Sequence, residues 1–381
     1  MALQKLKLAV LASAPFLSLA FAGAAHSSTV PGAGTANRAK QLVITGAGDG
    51  HGVGMSQEGA LGYALHGYSD RAILARYYTG TAIGRAPHGT VVRVLVGDRV
   101  RRVPLERYVR GVVSAEMPSG WPLAALEAQA IASRTYALTS HAGGARFNVY
   151  ADSRSQVYEG RAAETPQTNA AVAATAGQVV TYAGKPVTTY FFTSSGGITE
   201  DIQNGFPGAE PEPWLRGVVD PYDQGPLHTW TVKMTFAAAA ARLRGLVRGS
   251  LVGIEVMKRG YSPRIVSAEI LGSKGRSTVS GPELAARLGL DATWAYFSVA
   301  TPHGVHAEPD ASHYSRPAES PASAVGPEAP AGGETSPPST NDGGGAPASG
   351  SAPESVPAPR SVDGGVAWSV VEEQEGGTLS G

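Results

Sequence analysis

The sequence predicts an α+β fold, in which mixed strands and helices form a cleft around one carboxylate, Glu116, followed by a disordered C-terminal tail. Two observations predict the fold, and a third predicts the tail. Strand-like runs rich in β-branched residues are interspersed with short amphipathic helical patterns. The stretch VPLERYVRGVVSAEMPSGWPLAALEAQAIASRTYAL, from Val103 to Leu138, reads as two helices joined by a Ser119-Gly120 turn. Beyond about His303 the chain turns to Pro, Ala, Gly, Ser and Glu, too poor in apolar residues to offset its ordering entropy.

Composition limits the function classes. Of 381 residues 42% are hydrophobic, enough to bury a core, and the formal net charge is zero. With no basic block, nucleic acid is not the expected partner. Cysteine is absent, which excludes disulfides, a thiolate nucleophile and cysteine-ligated zinc.

Taken in order, residues 1–25 read as a secretory signal peptide. Lys5 and Lys7 precede an apolar run from Leu8 to Ala22 that ends in small residues, so the expected location is secreted, extracellular or cell-wall associated. Residues 26–40 form a small-residue linker. Gly50 to Gln57, GHGVGMSQ, places three glycines around His51, as in a turn where backbone approaches something closely. His51 either donates to a ligand or hydrogen-bonds its own turn. The segment lacks the lysine and hydroxyl pair of a phosphate loop, so no nucleotide is expected. Ser56 is placed to cap a helix through Leu65, and Ser69 a second one, SDRAILARYYTG. Thr90 to Val103 reads as a hairpin turning at Gly97-Asp98.

In the helix that follows, Leu105, Tyr108, Val109, Val112 and Val113 recur at i, i+3, i+4, i+7 and i+8. At about 100° per residue Glu116 falls roughly 20° from Leu105, on the apolar stripe. Pro118 disfavours helix at Met117, which puts Glu116 in the last turn. An apolar wall and the negative end of the helix dipole both favour its protonated form, the requirement for a general acid near neutral pH. The alternatives are a glutamate held by Arg134 and one exposed at a frayed end.

Pro122 starts the second helix, with Gln129, Ser133 and Tyr136 along one side and Arg134 beside Ala130 and Ala137. Asn148 to Gly160 reads as a loop and then a short strand, and it holds a second carboxylate, Asp152. Gln178–Tyr182 and Val187–Thr193 read as strands around a turn at Ala183-Gly184. Ser194-Ser195-Gly196-Gly197 follows, offering hydroxyls and N–H groups to sugar oxygens but no nucleophile elbow. Trp230 to Val299 reads as a small α+β unit with no catalytic constellation.

The segments YVRGVVSAEMPSGWPLAALEAQAIASRTYAL, DSRSQVYEG, TYFFTSSGG, WTV and SGPELAARLGL closely resemble the stage II sporulation protein D (SpoIID/LytB, amidase enhancer) family, from about Ala47 to Val299. The resemblance implies a lytic transglycosylase that cleaves peptidoglycan glycan strands stripped of stem peptides, with Glu116 as the catalytic glutamate. It places His51, Gln57, Gln129, Arg134, Gln156, Tyr158, Ser194, Ser195, Gly196 and Gly197 around the sugar. It also implies an N-acetylmuramoyl-L-alanine amidase as partner.

Two departures stand out. GHGVGMSQ usually follows the last strand and helix unit of this family, whereas here it precedes the core. Residues 41–89 are therefore expected to form a module packing on a 90–302 domain, with 303–381 as tail. The zinc that some relatives hold lacks its cysteine ligands here, so no metal or other cofactor is expected. A transglycosylase needs a single carboxylate, whereas a hydrolase usually needs two, and for the second Asp152 is the candidate. A non-catalytic glycan-binding module that recruits or enhances an amidase is the main alternative; a purely structural wall protein is the third.

Overall fold

The computed structural model describes residues 40–301 and 304–310. The expected signal peptide, nearly all of the linker and the tail beyond 310 lie outside the described residues. Among the described residues no helix is long and apolar enough to cross a membrane.

The chain enters as a strand, β1 (Gln41–Ala47), which alternates buried Leu42 and Ile44 with outward residues. After the glycine-rich turn come β2 (Met55–Ser56), α1 (Gln57–Leu65) and α2 (Asp70–Tyr77). Ser56 and Ser69 cap the two helices, their side chains accepting from the Gly59 and Ala72 N–H groups. β3 (Ala82–Arg85) leads to the hairpin of β4 (Val91–Val96) and β5 (Arg99–Pro104). Next are α3 (Leu105–Glu116) and α4 (Leu123–Thr139), the latter with Pro122 as its N-cap.

β6 (Val149–Tyr150) pairs in parallel with β4, and α5 (Pro166–Ala174) then covers α3 and α4. β7 (Gln178–Tyr182) and β8 (Lys185–Pro186) are joined at Ala183 and Gly184, both with positive φ, the backbone of a primed turn. β9 (Phe191–Phe192) pairs with β2, and α6 (Ile202–Gly205) follows. The remainder is β10 (Thr229–Thr235), α7 (Phe236–Arg242), β11 (Leu251–Arg259), β12 (Ile265–Gly272), β13 (Gly275–Ser280), α8 (Gly281–Leu288), β14 (Ala295–Thr301) and β15 (Gly304–Ala307).

Two hydrophobic clusters hold these elements. One gathers α1, α2, α3, α4 and α5 with the β4 hairpin and β7. The other lies under the antiparallel sheet β10-β1-β14-β15 and the meander β11-β12-β13, closed by α7 and α8. Residues 41–89 contribute to both: β1 is an inner strand of the second, while α1 and α2 belong to the first. No break falls at 89/90, where the sequence places a boundary, because β1 is hydrogen-bonded on both edges to strands from the far end of the chain.

Three local expectations are corrected. Val187–Tyr190 is not strand, because its polar groups serve other partners. The Thr189 hydroxyl donates to the Ala132 carbonyl, the Trp214 indole N–H donates to the Thr188 carbonyl, and the Tyr190 carbonyl accepts from the Met55 N–H and the Tyr78 hydroxyl. Between 148 and 160 the strand comes before the loop, at Val149–Tyr150. The tail begins later than residue 303: β15 pairs with β14, and Asp310 forms an ion pair with Arg259 at 2.7 Å.

Candidate active site

Glu116 is the last residue of α3, and Met117 leaves the helix in extended geometry (φ −130°, ψ 144°), as Pro118 requires. The apolar stripe of α3 is buried, and the glutamate at its end keeps partial exposure. Its carboxylate oxygen Oε1 accepts the Val157 N–H at 2.5 Å. The Gln57 amide reaches the Glu116 carbonyl at 3.5 Å and also bonds the carboxylate. Burial raises the carboxyl pKa to about 7, outweighing the hydrogen bonds from Val157 and Gln57 that lower it. No acidic neighbour contributes to that shift. Near neutral pH the group thus exchanges a proton readily, as a general acid and base must.

Behind the acid runs a file of buried amides. Gln57 Nε2 donates to Gln129 Oε1 at 3.4 Å, and Gln129 Nε2 donates to the Ser133 hydroxyl at 2.9 Å. Gln156 donates to the Tyr108 hydroxyl at 2.9 Å and to the Ser133 carbonyl at 3.2 Å. Gln57 therefore touches Glu116, whereas Gln129 and Gln156, fully buried, brace the wall rather than face a sugar. Tyr158 is half-buried and stacks on Tyr108, with centroids 5.0 Å apart.

Tyr136 lies close enough for the charge of Glu116 to help raise its pKa, after burial and against hydrogen bonds with Ser140 and Ser155. Its ring meets Tyr190 at 5.8 Å, and Tyr190 meets both Phe206 and His51. His51 is thus linked to the Glu116 wall through aromatic rings. Its Nδ1 accepts the Val53 N–H at 3.0 Å, the own-turn alternative, and it is also bonded to the Phe191 backbone. Burial and Arg264 lower its pKa to about 3, which leaves a neutral imidazole. What the glycines approach is protein: a Cβ on Gly54, at φ +81°, would lie 2.1 Å from the Tyr190 carbonyl oxygen.

Arg134 and the Ser194–Gly197 turn are corrected. Arg134 is fully buried and pairs bidentately with Glu106 at 2.8 and 2.9 Å, its remaining N–H groups going to backbone carbonyls. It holds neither sugar nor Glu116. Ser194 and Ser195 are fully buried and donate to Asp223 and Asp220 at 2.8–2.9 Å. Gly196 packs against Gly48, and the Gly197 N–H bonds the Ser195 hydroxyl at 3.0 Å. A turn rich in donors looks available in sequence, but its two hydroxyls and the Ser195 N–H are consumed by two buried aspartates that no local pattern announces. Asp152 is exposed and paired with Arg154 at 2.7 Å, whose hydrogen bonds hold its carboxyl below the ordinary range. Among the described residues no group of three or more His, Cys, Asp or Glu side chains is placed to hold a metal ion.

The family model described as stage II sporulation protein (SpoIID) matches residues 97–182. That span includes Glu116, Val157, Gln129 and Gln156, but neither Gly50–Gln57 nor Ser194–Gly197. The chain is similar to stage II sporulation protein D of Bacillus subtilis, 30% identical over 210 residues, 50% of this chain and 60% of that one. An uncharacterized protein of Brachyspira hyodysenteriae is 36% identical over 140 residues, 36% of this chain and 38% of that one. The amidase enhancer of Bacillus subtilis is 40% identical over 92 residues, 24% of this chain and 12% of that one. Each match covers less than two thirds of the relative. Over residues 97–182, the chain is similar to the stage II sporulation protein (SpoIID) family.

Proposed function

We propose that this protein is a lytic transglycosylase of peptidoglycan that acts outside the cytoplasmic membrane on glycan strands cleared of stem peptides. The observation that carries the proposal is the Glu116 carboxyl at the end of α3, held by the Val157 N–H and the Gln57 amide and raised by burial to about 7. Glycoside hydrolysis usually employs two carboxylates, roughly 5 to 9.5 Å apart. A transglycosylase needs one, because the substrate supplies its own nucleophile. Glu116 protonates the leaving glycosidic oxygen as the C1–O bond breaks. The carboxylate so formed takes the proton of the muramic acid 6-hydroxyl as its oxygen bonds to C1, closing a 1,6-anhydro ring and restoring the acid. Gln57 and the Val157 N–H orient the carboxylate, and both hydrogen bonds strengthen while it is charged.

The second reading is a glycan-binding module that enhances a cell-wall amidase. The similarity to the amidase enhancer of Bacillus subtilis favours it. The two are separated by incubating wild type and Glu116→Gln with amidase-treated sacculi, measuring released saccharide and pelleted protein. Release by the wild type alone, with both proteins pelleting, is the transglycosylase result. Pelleting without release by either protein rejects it in favour of the module.

A further inference from the structure

Across the outer face of the β10-β1-β14 sheet lies an open groove of about 670 Å³ that includes neither Glu116 nor its partners. Strand alternation sends Leu42 and Ile44 into the core and turns Thr45 outward. Register sets Thr45 between Thr231 and Tyr296, and sets Ala47 opposite Thr229. Trp294 lies two residues before Tyr296, on the same side, and His228 closes one end. None of the lining residues is Asp, Glu, Lys or Arg. A groove of uncharged hydroxyls and aromatic rings does not fit a phosphate polymer or a charged peptide. It fits a neutral ligand with apolar C–H faces and polar edges.

The rings are held from one side. The Arg259 guanidinium lies 4.3 Å from the Tyr296 centroid, and Arg264 lies 5.8 Å from that of Trp294. Both arginines are buried and fixed, Arg259 by Asp310 and the Ala295 carbonyl, Arg264 by the Ile198 and Ser195 carbonyls. Tyr296 is nevertheless 43% exposed. A ring pinned on one face loses little freedom when a ligand covers the other.

We propose that this groove is a second saccharide site, which takes the neutral N-acetylglucosamine units of a glycan strand while Glu116 acts elsewhere on the polymer. The proposal rests on the reading above that the substrate is wall glycan. Sugar rings lie against Trp294 and Tyr296, and their hydroxyl and amide edges meet Thr45, Thr229 and Thr231. The volume is that of an ordinary ligand site, roughly 300–1,000 Å³. Holding one polymer at two places raises the local concentration of cleavable bonds at the acid.

The test uses the full chain carrying Glu116→Gln, so that strands are not consumed, and titrates it with amidase-stripped glycan strands and with N-acetylglucosamine tetramer. Tyr296→Ala removes a ring, and Thr231→Leu replaces a hydroxyl of the exposed face with a bulkier uncharged side chain. Each is expected to weaken strand binding by at least about fivefold with the melting temperature unchanged. If Tyr296→Ala unfolds the protein, Thr231→Leu carries the test alone. Equal binding by parent and folded variants overturns the groove, as does absence of strand binding by the parent. Cleavage by the wild type is scored separately. Cleavage with variant binding unaffected removes the groove and keeps the enzyme. Groove-dependent binding without cleavage keeps the groove and removes the enzyme.

Discussion

Glu116 holds its proton to about pH 7 because burial costs the carboxylate more than Val157 and Gln57 return. An ordinary glutamate titrates near 4.5, so the folded protein binds a proton that the unfolded chain has released between pH 4.5 and about 7. Stability present below that window is lost as the pH rises through it. Glu116→Gln is therefore expected to be more stable than wild type at pH 8 by about 1–2 kcal/mol, allowing for partial solvation of the cleft, and equally stable at pH 4. Glu58 and Asp220 are also raised to about 7, so the quantity to measure is the difference between wild type and variant in urea melts at the two pH values. In catalysis the acid form is the active one, so kcat/KM falls by about tenfold per pH unit above 7. Arg134 illustrates the opposite case, a charged residue that is structural. Arg134→Ala is expected to cost about 3 kcal/mol in a urea melt, from an unpaired Glu106 and a cavity, without weakening glycan binding by the protein that remains folded. Glu116 was legible in the sequence because a charge on an apolar stripe violates a periodicity. Arg134 was misread because its partner Glu106 lies on another helix, and no spacing within one helix reveals it.

At the scale of elements, the site depends on α3 and on the extended segment that brings the Val157 N–H to the acid. Gly111 sets that approach: a Cβ there would lie 2.7 Å from Tyr158 Cε2 and 2.8 Å from Gly160 Cα. Gly111→Ala pushes the segment away and is expected to cost about 1–3 kcal/mol. It also weakens a hydrogen bond that lowers the Glu116 pKa. The upper limb of the pH–rate profile should then move to higher pH, whereas a purely structural effect would lower the rate and leave the limb in place. Helices and hairpins were readable from caps, periodicity and turn glycines, all of which are local. Val187–Tyr190 was not, because long-range side-chain and backbone partners claim groups that would otherwise form a ladder. β1 was missed although Leu42 to Thr45 favour a strand and a glycine-rich turn follows them, because the partners that pair it, β10 and β14, come from the far end of the chain.

At the scale of the whole molecule, β1 ties the start of the described chain to its end, and the glycine-rich turn continues that seam, with the Gly50 N–H bonded to the Asp291 carbonyl at 2.8 Å. This placement brings Gln57 to Glu116 although the two are far apart in sequence. The other end of the seam is β15 and Asp310, in residues whose composition reads as tail. A chain ending after Thr301 is expected to be about 2 kcal/mol less stable than one ending after Asp310, since it leaves the buried Arg259 without its carboxylate. Equal melting temperatures would contradict that role. Composition could not reveal it, because one ion pair and one short ladder suffice to order seven residues. The central claim is that a single acid at Glu116 cleaves glycan without water as a reactant. It is tested most directly by mass spectrometry of saccharides released from amidase-stripped peptidoglycan in ¹⁸O-labelled water. The account predicts 1,6-anhydromuramyl ends free of label from the wild type and none from Glu116→Gln; labelled reducing ends, or anhydro ends from the variant at the wild-type rate, would contradict it.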